Sequence, residues 1–554
     1  GSGDFTFSRG SNLSATRVKS DGYIEKGYEN LLLQSNQFDT SPWLLNTTSA
    51  TSGQSGYDGT NDAWLLNSTG TGFPRIQQNV STSGVFVFSV YAKPATDSFI
   101  SIRTNGADAQ VWFDLSDGSI SNASGLQYIS SSIEDVGNGW YRCSVLVNGS
   151  LTSVRIYPAS AYGDYSTSGN GIYIQDAQLN QGLVALPYVE SGATNGLGGL
   201  LENDPRIDFT GGGCGSLLLE PSRTNLIEYS EYFGGSYWTK SGSSITSNAV
   251  ISPDGYLNAV KLVEGTNNGV HRLRKSSLLT GSTEYTISVF AKAGERTWLN
   301  MSENQVGESW FDLGNGVTGT SSATASGMVA FANGWYICWQ TSTPTSTGNV
   351  DLYTATDGST KVYQGDGTSG IYLYGAQLEQ AAYKTSYIPT YGVSQTRAED
   401  LCVNAGNVNT FNSTEGVLYT EIAALANDGT NRYIFISDGT NNNGVRLYYT
   451  TVNNRITARY YVNGTATSIL NFTLPNALDF NKIAFKYKVN DFSLWANGSK
   501  VGSDTLGATN TPNTLNNISF ATGTNGNPFY GKSKQVLVFK QALSDADLTA
   551  LTTI

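Results

Sequence analysis

Apolar positions alternate with polar ones at a period of two in nearly every hydrophobic run of the chain. Phe86, Phe88, Val90 and Ala92 fall on one side of such a run, with Val87, Ser89, Tyr91 and Lys93 on the other; Tyr285, Ile287, Val289 and Ala291 repeat the arrangement. Period two is the signature of a strand, because successive side chains leave opposite faces. The runs are short and are divided by Gly, Asn, Asp and Ser, which tolerate positive φ or bond their own backbone in turns. Almost nothing in the chain has a helical period. The pattern predicts an all-β protein of antiparallel β-sandwiches or jelly rolls, although a closed barrel satisfies the same alternation.

The run Asn138-Gly139-Trp140-Tyr141-Arg142-Cys143 returns as Asn333-Gly334-Trp335-Tyr336-Ile337-Cys338, at an offset of 195. Other landmarks recur in the same order. Asn30-Leu31-Leu32 matches Asn225-Leu226-Ile227, Trp112-Phe113-Asp114-Leu115 matches Trp310-Phe311-Asp312-Leu313, and Gly171-Ile172-Tyr173-Ile174 matches Gly370-Ile371-Tyr372-Leu373, at offsets between 195 and 199. A drift this small changes only loop lengths, so the chain carries a duplicated module.

From about Phe411 onward the repeat is lost but the alternation persists. Phe492 to Ala496, the pair Asn497-Gly498 and the return run from Ser499 read as a hairpin with a tight turn. Val536-Leu537-Val538-Phe539 leads into a short helix capped by Ser544. The expected organisation is three sandwich domains in tandem: 1–28 a hairpin or attachment segment, 29–190 the first jelly roll, 191–223 a structured bridge, 224–400 the second jelly roll, and 401–554 a sandwich of a second kind. The N-terminal runs Phe5-Thr6-Phe7 and Ala15-Thr16-Arg17-Val18 are expected to form the hairpin.

Composition narrows the function. With 32 Lys+Arg against 44 Asp+Glu the net charge is -12, which disfavours binding to a nucleic-acid backbone. His271 is the single histidine, which removes most histidine-based catalysis. No stretch approaches the ~18 apolar residues of a membrane-spanning helix. The four cysteines form neither a disulfide framework nor a CxxC metal pattern, and Cys143 and Cys338, at equivalent positions, read as small buried apolar side chains.

Ala15-Thr16-Arg17-Val18 with Gly22-Tyr23-Ile24-Glu25, Pro205-Arg206-Ile207-Asp208-Phe209, Leu217-Leu218-Leu219-Glu220-Pro221 and Arg223-Thr224-Asn225-Leu226 resemble segments recurrent in bacteriophage head-fibre and tail-fibre proteins. The duplicated modules resemble the carbohydrate-binding-module-like jelly rolls of that class, and the last domain resembles the concanavalin A-like or laminin G-like fold. In the family pattern the Gly-x-Ile-Glu and Pro-Arg-Ile-Asp segments lie close together in the chain, whereas here a whole module separates them. The resemblance implies a virion-surface protein, non-enzymatic and commonly homotrimeric, that contacts glycans and other virion proteins. No coiled-coil heptads enforce a trimer.

Sugar binding needs flat aromatic faces with amide and carboxylate groups nearby. Trp43/Trp238, Trp112/Trp310 and Trp140/Trp335 are matched between copies, which favours a shared structural role. Trp64, Trp298 and Trp339, each present in one copy only, and Trp495 in the last domain are therefore the candidate carbohydrate-binding residues, with a place in the core as the alternative for each. No cofactor is expected. Structural calcium in the loop Asn427-Asp428-Gly429-Thr430-Asn431 is a secondary expectation resting on a single carboxylate. Asp114 and Asp312 recur at strand ends, where capping a turn is favoured over catalysis. A purely structural decoration protein and a glycan-cleaving depolymerase are the rival readings.

Overall fold

The computed structural model describes residues 4–10, 13–106, 108–303 and 307–554. The fold is all-β, with antiparallel sheets throughout and one α-helix among the described residues, Asp545–Thr552. In that helix the Ser544 hydroxyl accepts from the Asp547 amide, and Asp545 and Asp547 oppose the dipole in the first turn.

In the first module two long strands, Arg75–Pro94 and Trp140–Ala161, run through both layers of the sandwich and pair along most of their length. Their outer neighbours are Phe99–Asn105 and Ala109–Asp114 in one layer and Ala63–Ser68 and Gly171–Gln181 in the other. Phe86, Phe88, Val90, Cys143, Val145 and Ile156 fill the space between. The second module has two separate six-stranded sheets instead. Its counterparts of the long strands break into Arg272–Leu279 with Tyr285–Ala293 and Trp335–Ser342 with Gly348–Ala355. The break falls where Pro344 supplies no N–H, and its carbonyl accepts from Ser282, which sits at positive φ. Cys143 and Cys338 are both fully buried in their cores. The recurring Asn-Gly pairs have positive φ at both residues, as do Asn497 and Gly498.

The last domain packs a five-stranded sheet on a seven-stranded one, around Leu418, Ile434, Leu447, Phe485 and Leu494. Two strands of the larger sheet come from outside the domain. Ser216–Leu219 of the bridge pairs with Gly531–Phe539, and Ile207–Asp208 pairs with Ser216–Leu219. The N-terminal expectation is corrected in the same way: Thr16–Val18 does form a hairpin with Ile24–Asn30, but Thr6–Ser8 leaves it and pairs with Leu401–Val403, where Phe5 packs on Phe520.

The separated family-like segments meet in space. Phe209 donates its amide to the Val18 carbonyl at 3.0 Å, the Val18 amide donates to Asp208 at 3.1 Å, and Arg17 donates to the Pro205 carbonyl at 2.9 Å. Beneath them Arg206 is fully buried, paired with Glu220 at 2.7 Å and with both carboxylate oxygens of Asp400. Arg397 completes the cluster on Glu220 at 2.9 Å.

Candidate functional site

Alternation decides which way each strand of the first module presents its side chains. In Ala109–Asp114, Val111 and Phe113 enter the core, so Gln110 and Trp112 face outward. Ile100 and Ile102 leave Ser101 and Arg103 outside, and Val154 and Ile156 leave Arg155 and Tyr157 outside. The register places Tyr157 opposite Ser101 and Ser101 opposite Trp112; in the next outward row Arg155 lies opposite Arg103 and Arg103 opposite Gln110.

Ser101 is small, and the gap it leaves between the two large rings is closed from above. Tyr165, on the short strand Asp164–Tyr165, lies with its ring centroid 5.1 Å from Tyr157 and 5.0 Å from Trp112. Gln110 fixes it by donating to the Tyr165 hydroxyl at 2.9 Å and to Ser101 at 3.0 Å. Tyr162 meets Trp112 edge-on at 5.7 Å and Phe73 meets Tyr165 edge-on at 5.3 Å. These flanking rings stay open to solvent, Phe73 at 63% and Tyr162 at 55% exposure. The result is an aromatic platform with a buried floor, exposed flanks, and amide and guanidinium groups along one side. Exposed aromatics gathered on a polar rim mark interaction surfaces rather than packing.

The second module keeps the floor and covers it. Trp310 and Tyr353 flank Asn300 in the same register. The Tyr353 ring, however, lies under Lys361 at 5.0 Å and Arg272 at 5.5 Å. Arg274 makes a bidentate pair with Asp351 at 2.7 and 2.8 Å, and Lys361 pairs with Glu308. The charged groups of this face pair with one another.

Two of the tryptophans expected to bind sugar are corrected. Trp64 is 6% exposed and sits in the core against Phe38, its indole N–H donating to the Asn36 carbonyl at 3.1 Å. Trp495 is 4% exposed, packed with Tyr419, Ala484 and Leu548 under the helix and donating to Ser493 at 3.1 Å. Neither has a face to offer. Trp298 is half-buried over Gly319 and Gly358, where a Cβ would come within 3.0 and 2.9 Å of the ring. Trp339, also half-buried, lines a cleft of about 440 Å³ between the second module, the N-terminal hairpin, the bridge and the last domain. The expected residues are thus scattered, and none belongs to the platform.

Trp112 has a counterpart in the second copy, Trp310, so recurrence between the copies does not single it out. The signal that finds it is local: with Val111 and Phe113 inside, Trp112 must lie outside. Nothing in the sequence brings Phe73, Tyr162 and Tyr165 to it. Asp114 and Asp312 hold turns, accepting from the Ser116 amide at 2.9 Å and the Gly314 amide at 3.0 Å. Asp428, the carboxylate of the loop suited to calcium, pairs with Arg432 at 2.7 Å. Among the described residues no group of three or more His, Cys, Asp or Glu side chains is placed to hold a metal, and no helix is long and apolar enough to cross a membrane.

No family model matches the chain, and no curated protein is similar to it in sequence. Similar solved structures include the CBM40 domain of Ruminococcus gnavus IT-sialidase bound to alpha2,3 sialyllactose, at 18% identity over 27% of this chain and 93% of that one, with a TM-score of 0.23. The N-terminal CBM22-1-CBM22-2 tandem domain of Paenibacillus barcinonensis Xyn10C is 13% identical over 67% of this chain and 100% of its own, with a TM-score of 0.22. Domains LG4-5 of the mouse laminin alpha1 chain are 10% identical over 51% of this chain and 91% of theirs, with a TM-score of 0.19. The sandwich assignment rests on the strand pairing itself.

Proposed function

We propose that the protein is a non-enzymatic, glycan-binding fibre or spike component of a bacteriophage virion, and that it holds surface glycans on the aromatic platform of the first module. The carrying observation is the exposed pair Phe73 and Tyr162, set at the edges of Trp112 and Tyr165 beside Gln110, Arg103 and Arg155. Such rings stack on the C–H faces of pyranoses, and the polar row bonds the hydroxyls. The fibre assignment is supported by the family-like segments, whose residues Arg206 and Glu220 lie at the centre of the buried junction. In this reading the protein is displayed on the virion surface as a homotrimer, in contact with other virion proteins.

The test is a glycan array probed with the full chain and with the Phe73→Ala/Tyr162→Ala double variant, whose side chains are too exposed to unfold it. Saturable binding that the double variant loses, without release of shortened chains, is the expected result. Product release from a purified polysaccharide would replace adhesion with depolymerisation. An absence of binding to any glycan or host cell would leave a decorating role only.

A further inference from the structure

The two copies differ in charge along one aligned row of the sheet. In the first module the outward row runs Gln77, Arg155, Arg103, Gln110 across four strands. In the second module the same register holds Arg274, Asp351, Ser302, Glu308. The scaffold is shared, and the electrostatics are inverted.

The inversion matters because only the second row is neutralised in full. Asp351 is held by Arg274 and lies 3.7 Å from Arg272, and Glu308 is held by Lys361, so every charge of the second row has an opposite charge in place. In the first module, among the described residues, no carboxylate pairs with Arg155. Its terminal nitrogens are met by the Asn105 amide oxygen at 3.1 and 2.7 Å, in the amide orientation that satisfies both groups, and its Nε has no partner. Arg103 faces only the exposed Asp108, at 3.6 Å. Arg155 and Arg103 are therefore register partners in the row next to that of Tyr157, Ser101 and Trp112, in a protein whose net charge is -12. A like-charged pair next to a ligand platform is stabilised by an anion, and a guanidinium presents parallel N–H donors that match a carboxylate.

We infer that the platform of the first module takes acidic saccharides, with Arg155 and Arg103 clamping a sugar carboxylate while Tyr165, Tyr162 and Phe73 stack the ring. The inference rests on the glycan-binding reading and adds the class of sugar and the two residues that select it.

The test prints uronic-acid-containing capsular polysaccharides beside the same polymers after chemical reduction of their carboxylates to alcohols, and probes them with the full chain. The native polymers are expected to bind at least about tenfold more tightly than the reduced ones, the worth of one charge-assisted pair. Arg155→Gln should bring the ratio to within about twofold by removing that pair, while Phe73→Ala/Tyr162→Ala weakens both forms. Arg103→Gln, on a half-exposed side chain, serves as the second variant and should lower the ratio without a change in unfolding. Equal binding of native and reduced polymers, or an unchanged ratio in both arginine variants, overturns the acidic specificity and leaves glycan binding standing. Binding to neither form overturns both.

Discussion

Arg206 and Asp400 are 194 residues apart in the chain and form a two-pronged ion pair from which solvent is excluded. Burial alone would lower the Arg206 pKa, but Asp400 and Glu220 reverse that and hold it above the usual arginine value. The pair ties the bridge to the end of the second module, and Arg9 reaches the same Asp400 from the N-terminal segment at 3.4 Å. The parts outside the three sandwiches are thereby a single junction.

Removing one member of such a cluster leaves an uncompensated charge behind. Arg206→Gln is expected to cost about 3 to 5 kcal/mol, whereas Lys19→Ala, at the exposed pair with Asp21, should cost no more than ~0.5 kcal/mol. Denaturant unfolding checks the difference, and hydrogen exchange should rise first in the strands Thr6–Ser8 and Ser216–Leu219. Equal costs for the two variants would show that the junction is not held by its charges.

Asn30 and Asn225 do the same work in their two modules. Each side-chain amide donates to two backbone carbonyls, Ala177 and Val189 for Asn30 and Ala376 and Ile388 for Asn225. Each side-chain oxygen accepts two amides, those of Leu32 and Leu179 for Asn30 and of Ile227 and Leu378 for Asn225. Either Asn→Ala change strands buried backbone groups and should destabilise its own module by about 2 to 4 kcal/mol. Calorimetry that resolves the modules would detect which transition moves, and a shift in the wrong module would refute the equivalence.

Among the aromatics, stability and binding should separate. Trp64→Ala and Trp495→Ala are expected to cost about 3 to 5 kcal/mol of stability through the cavities they open. Tyr165→Ala should instead lower glycan affinity about tenfold or more, the scale of one lost stacking partner, and Trp298→Ala should leave it unchanged. Titration calorimetry with a glycan found on the array decides this, and a full loss of binding in Trp298→Ala would move the site to the second module.

Glu303 makes stability fall with rising pH. Burial pushes its carboxyl up to about 7, against hydrogen bonds from Ser342 and Gln340 that favour the charged form. Between the unfolded value of about 4.3 and about 7 the folded chain binds the extra proton, so this contribution is full in acid and is lost as pH rises through that window. Asp176, raised by burial to about 7, acts in the same direction. Glu220 acts in the opposite one: burial would raise it, but Arg397 and Arg206 hold it far below the usual carboxylate range, so its contribution is present above about pH 4.3 and is lost on further acidification. Glu303→Gln should match the parent near pH 4 and exceed it by on the order of 1 to 3 kcal/mol near pH 8. Urea midpoints at the two pH values measure it, and a gain of equal size at both would rule out the titration.

The all-β class, the tight Asn-Gly turns and the Ser544 cap are legible in the order of residues because each follows from interactions spanning only a few residues, and the duplication is legible because its landmarks recur at a nearly constant offset. The order of residues also contained the outward direction of Trp112, written in the inward direction of Val111 and Phe113. Single-copy occurrence was a poor guide to binding: Trp64 and its counterpart Val260 fill the same core position, and a change of size between copies says nothing about solvent. Only the tertiary structure set Tyr165, Tyr162 and Phe73 around Trp112, placed Arg155 beside Arg103, and closed Val18 onto Phe209 across an intervening module. Those contacts join strands and loops far apart in the chain, and their formation depends on sheet register and on how the modules return their ends, which no local period of hydrophobic residues encodes.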